Sequence, residues 1–202
     1  LPLPNPDAPP PDRPDAVQAH IAEWVPADPQ RLDQEAALLA ATVGSLNEEQ
    51  AAIFWGIVAH LRANVADQDV WDDRWAALRL PNPPQPGDMQ LPTFQHGVAF
   101  LSAAGGCGKT YLLNAALKTA RLMQVVTVAT AFTGLAANGY QGGTTVHRSF
   151  QLPVQTEGDD RGALQSTLHR GSAKADVIAH SGLIICDEAP MGGCRIANAM
   201  KE

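Results

Sequence analysis

Across residues 31–43 apolar side chains return at three- and four-residue steps (Leu32, Ala36, Leu39, Val43), the spacing that lines one face of a helix. Ser45 and Glu48 then stand at capping-box spacing, and Phe54, Ile57, Val58 and Leu61 follow at helical intervals, so a second helix is expected there. Over residues 66–96 the pattern changes. An acidic helical piece carries Trp71 and Trp75, and the run PNPPQPGD breaks any regular element after it. Beyond this insertion or linker come short apolar runs separated by helical stretches. Residues 98–102, 125–130 and 183–186 read as buried strands, and 110–123 as a helix. That alternation predicts an α/β fold, a parallel sheet covered by helices on both faces. Internal repeats are absent.

Composition adds a leader and a charge asymmetry. Residues 1–14 hold seven prolines, which exclude a helix or a central strand, and residues 1–30 are expected to be a Pro-rich disordered leader. At 202 residues and 45% apolar the rest suffices for one domain, with only 5% aromatic side chains to fill its core. Residues 1–100 carry fourteen acidic and five basic side chains, and residues 101–202 carry seven and nine. The second half neither repels a polyanion nor forms a basic patch. Three cysteines, Cys107, Cys186 and Cys194, argue for a reducing, intracellular compartment rather than a disulfide framework. No apolar stretch approaches the ~20 residues that cross a bilayer, so no membrane partner is expected.

The first candidate chemistry follows the run at 98–102. Ala103-Ala104-Gly105-Gly106-Cys107-Gly108-Lys109-Thr110 leads into the next helix, which is strand, Gly-rich loop, helix in the order a phosphate loop requires. Glycines let backbone N–H groups approach phosphates, and the helix N-terminus adds partial positive charge. Lys109 would reach the β- and γ-phosphates of ATP, and the Thr110 hydroxyl would ligate Mg²⁺. Ala103 stands where G-x-x-x-x-G-K-[ST] has its first Gly, a cost of about 1–2 kcal/mol if the position needs positive φ and none otherwise. Cys107 has two readings, a thiol acidified by the helix N-terminus or a small residue whose backbone matters; the second is preferred.

Downstream, Asp187 and Glu188 end the apolar run LIIC. The C-terminal end of a strand is where open α/β sheets bind ligands. Asp187 would hold Mg²⁺ through water and Glu188 would act as general base on the attacking water. The competing reading is a pair of acids capping a surface strand. The phosphate loop about 80 residues upstream favours the functional one.

Further segments carry a resemblance. Residues 129–137 (ATAFTGLAA) resemble the A-x-T-G-x-A-A stretch of superfamily-one DNA helicases. Residues 142–153 (GGTTVHRSFQLP), 105–114 (GGCGKTYLLN) and Asp187-Glu188-Ala189-Pro190-Met191 resemble segments of the Pif-family helicases, so the likeness spans about residues 97–191. It implies a RecA-like, three-layer P-loop NTPase lobe over 97–202, preceded by a helical segment at 31–65. It further implies an ATP-driven 5′-to-3′ DNA helicase of DNA repair, recombination and telomere maintenance, nuclear or mitochondrial if eukaryotic. Thr133 and Gly134 fall where the family contacts single-stranded DNA. His147 falls near the ATP–DNA junction, with an ordinary structural histidine equally open. Arg148 is preferred as a solvated charge. Leu46-Asn47-Glu48-Glu49-Gln50 resembles the element whose Gln reads the adenine edge, although Gln50 lies 59 positions before Lys109, more than the family's usual gap. The family continues past this chain's last residue with a coupling motif and a second RecA-like lobe, expected here to be a missing partner in cis. On that expectation the chain binds nucleotide, hydrolyses it poorly and does not unwind duplex. A truncated nucleotide-binding or interaction module without motor activity is the alternative.

Overall fold

The computed structural model describes residues 15–85, 87–94, 97–153 and 166–189. Expectations placed on residues 1–14, on Pro190 and Met191 and on Cys194 lie outside them. The leader expected over residues 1–30 needs correction in its second half. Val17, Ile21 and Trp24 recur at helical spacing, and helix α1 (Asp15–Trp24) buries the first two. The Asp28 carboxylate then accepts from Gln30 N at 3.2 Å and caps α2 (Pro29–Gly44), with proline at a first-turn position where its missing N–H is harmless.

Helix α2 buries Ala36, Leu39 and Val43, as its pattern predicts. The next capping box forms two residues later than expected. Ser45 closes α2, its backbone N–H and hydroxyl both donating to Thr42 O. Asn47 therefore caps α3 (Glu48–Ala63): its Oδ1 accepts from Gln50 N at 2.9 Å, and Gln50 Oε1 accepts from Asn47 N at 3.1 Å. Helix α4 (Gln68–Ala77) lays Trp71 and Trp75 in a stack, 6.1 Å between ring centroids, and Trp75 lies 6.0 Å from Trp55 of α3. Pro92 presses on Gly56, where an added Cβ would lie 2.7 Å from Pro92 Cγ. The described residues of the 66–96 stretch are thus packed against α3. One core runs from Ala36 to Met123, across the boundaries expected at 65 and 96.

Helix α5 (Lys109–Leu122) leads into β1 (Val126–Ala131), followed by α6 (Gly134–Ala137), β2 (Thr144–Thr145), α7 (Val146–Ser149), α8 (Ala173–Ala179) and β3 (Ser181–Asp187). The strands are parallel in the order β2-β1-β3. Leu117 of α5 packs with Ala129 and Ile185 on one side of the sheet, while Val17 and Ile21 of α1 pack with Val126 and Val177 on the other. The α/β expectation holds, and the register pairs Ala131 with Asp187. The chain leaving β1 and the chain leaving β3 therefore emerge side by side.

Two strand expectations change. Residues 98–102 form no strand. Val98 makes a single bridging pair, and Val98 and Phe100 are 75% and 73% exposed. An apolar run becomes a buried strand only when neighbours pair with it and cover it. The run at 183–186 does lie in a strand, but only half buried. Ile185 is buried in the core, while Ile184, next along the strand and so on the opposite face, is 42% exposed.

Candidate functional site

The Gly-rich loop reaches α5 through two backbone conformations that glycine alone adopts cheaply. Gly106 and Gly108 have φ of 79° and 77°, and Gly108 is the N-cap of α5. Ala103 is not among the positive-φ residues, so its side chain carries no backbone penalty. Lys109 and Thr110 open the helix, whose first N–H groups have no intrahelical acceptor. The Lys109 ammonium donates to Ala103 O at 2.5 Å and Ala104 O at 2.9 Å, folding over its own loop. Cys107 is exposed, and its carbonyl accepts from Gln50 Nε2 at 3.0 Å. That contact fits the backbone reading of Cys107.

Gln50 is carried to this loop by the start of α3. A Cβ on Gly108 would meet Gln50 Nε2 at 2.6 Å, so any other residue there would make the Gln50 amide shift. Both ends of the Gln50 amide are engaged within the chain, Oε1 in the capping box and Nε2 on Cys107 O. One N–H and one oxygen lone pair remain on the amide for a further partner.

The two acids emerge where the register sets them. Asp187 closes β3, and Glu188 turns away with φ of 56°, a left-handed conformation that costs a side-chain-bearing residue about 1–2 kcal/mol. The turn brings Glu188 Oε2 to within 2.7 Å of Thr133 Oγ1, which donates to it. The same Thr133 oxygen caps α6 by accepting from Ala136 N at 3.2 Å. Thr133 is therefore tied to Glu188, and Gly134 beside it is exposed. Asp187 Oδ1 accepts from Glu188 N at 2.8 Å, and Oδ2 accepts from the Tyr140 hydroxyl at 2.7 Å. Burial, then the bond to Asp187, raises the Tyr140 pKa. The Thr110 side chain packs against the same turn, since a Cβ on Gly139 would lie 3.2 Å from its Cγ2. Burial likewise raises the pKa of Cys186, within β3.

Two contributors escaped the sequence reading. Tyr140 is a lone hydroxyl-bearing aromatic in the turn after α6. Asn114 donates to Thr110 O at 3.0 Å and to Gly139 O at 2.8 Å, fastening that turn to α5. The signal for Asn114 was its position one helical turn after Thr110. The segment 142–153 is explained by packing. A Cβ on Gly143 would stand 2.2 Å from Ala137 O, and one on Gly142 2.4 Å from Trp24 Cη2. His147, half-buried in α7, makes no side-chain bond to either acid among the described residues, and Arg148 is exposed.

A glycine loop opening a helix, beside two acids at the end of a parallel strand, defines a nucleotide-binding domain of the RecA-like P-loop class. The chain belongs to the PIF1-like helicases, whose family profile matches residues 92–201. No curated relative and no solved structure matches it. Among the described residues no helix is long and apolar enough to cross a membrane.

Proposed function

We propose that this chain binds Mg·ATP at the loop of residues 103–110 and is the nucleotide-binding lobe of an ATP-driven helicase that moves 5′-to-3′ on single-stranded DNA. The N–H groups of residues 105–110 and the Lys109 ammonium would hold the phosphates, once Lys109 exchanges the Ala103 and Ala104 carbonyls for them. Thr110 and Asp187 fit a Mg²⁺ site: one hydroxyl and one carboxylate suit a cation that keeps several waters and is completed by substrate oxygens. Bound Mg²⁺ would neutralise charge on the β- and γ-phosphate oxygens. Glu188 would take the proton of the attacking water, Gln50 would meet the adenine, and Thr133, Gly134 and His147 would face DNA.

The observation that carries the reading is the Gly139–Tyr140 turn, which joins the phosphate loop to the strand-end acids: Asn114 bonds it to Thr110 O, and Tyr140 donates to Asp187. The Thr133–Glu188 bond supports coupling, because a DNA-facing residue touches the general base. Membership of a helicase family supports work on DNA, and we assign that work to repair, recombination and telomere maintenance. The test is fluorescence anisotropy of labelled oligo-dT with and without Mg²⁺ and a non-hydrolysable ATP analogue. The nucleotide should change DNA affinity several-fold, and Lys109→Ala should lose that effect while still binding DNA. DNA affinity indifferent to nucleotide would contradict the coupling.

A further inference from the structure

We infer that Tyr140 is the positioning residue of the metal half of this site, holding the Asp187 carboxylate near Thr110 as a ready ligand for Mg²⁺. The inference rests on the phosphate-site reading above. Tyr140 is 3% exposed, and its ring is wedged among Leu117, Ala129 and Ile185, so its hydroxyl has little freedom to move. That hydroxyl donates to Asp187 Oδ2 at 2.7 Å. Asn114 holds the Gly139–Tyr140 turn against α5 from the other side. Gly139 permits the approach, since a Cβ there would lie 3.2 Å from Thr110 Cγ2 and 3.1 Å from Ala136 O.

The chemistry follows from how the carboxylate is held. The Tyr140 proton goes to Asp187 Oδ2, while Oδ1 accepts from Glu188 N, so both oxygens are fixed in direction. Each carboxylate oxygen accepts one bond and keeps a second lone pair for the waters around a metal. Mg²⁺ tolerates little departure from octahedral geometry, so a preset ligand matters more to it than to a larger cation.

Mg²⁺-dependent binding of a fluorescent ATP analogue to the chain tests this, with Tyr140→Phe, which keeps the ring contacts and removes only the hydroxyl. Loss of such an outer partner weakens metal binding about 10- to 100-fold. The Mg²⁺ concentration for half-maximal binding should therefore rise about 10-fold or more, with affinity in EDTA unchanged. An unchanged or lowered Mg²⁺ requirement would overturn the assignment, the latter meaning that the phenol obstructs the cation. Equal losses with and without Mg²⁺ would also overturn it, reducing Tyr140 to a packing residue. A wild-type chain without Mg²⁺-dependent nucleotide binding would overturn the phosphate-site reading and this one together. Normal wild-type binding with an indifferent Tyr140→Phe variant would overturn this one alone.

Discussion

Thr133 bonds in two directions, and each is a separate source of stability. Its oxygen caps α6 and its proton goes to the Glu188 carboxylate, which leaves β3 in a left-handed conformation. Thr133→Val keeps the shape and removes both bonds. Loss of a cap costs about 1 kcal/mol, and a partly buried carboxylate deprived of a donor adds to it. Urea denaturation should place the valine variant about 1–2 kcal/mol below wild type, with Thr133→Ser recovering most of the difference. A valine variant as stable as wild type would mean that water replaces the hydroxyl at no cost. At this scale the sequence was informative about residue type and silent about partners. GKT and DE announce a phosphate loop and an acid pair because their backbone context is local. The Tyr140–Asp187 bond depends on a parallel register that no local spacing encodes.

Elements show the same division. The glycine pair at 142–143 was legible as a family signature, yet its cause is steric. Gly143 lets the turn after α6 pass over the Ala137 carbonyl before β2 begins. Gly143→Ala should force backbone apart there and destabilise by about 1–3 kcal/mol, the usual range for overpacking. Thermal melting would detect this, and a variant melting with wild type would show that the turn can relax. Helices α2, α3 and α5 were readable from apolar spacing because each buries one face. The box at Ser45 and Glu48 failed because Asn47 and Gln50 have the same spacing, and Ser45 was already needed to close α2. The α1 pattern was hidden by the prolines before it. The strand expected at 98–102 failed for another reason: apolar periodicity marks a capacity to be buried, and only pairing partners realise it.

For the whole molecule, the consequence is that the parts proposed to face nucleotide come from separated stretches of chain. Gln50 arrives from α3, Lys109 and Thr110 from α5, and Asp187 and Glu188 from β3, while Tyr140 and Thr133 bind the last two to the rest. The net charge of −7 makes unspecific attraction for ATP unfavourable, so affinity must come from this loop. The most direct measurement is calorimetric titration of Mg·ATP into the wild-type chain and into Lys109→Ala. The account predicts one site in the wild type. In the variant, which lacks a charge-assisted bond to phosphate worth about 1.5–3 kcal/mol, affinity should fall about 10- to 100-fold without loss of fold. Equal affinity in the two proteins, with both folded, would contradict it.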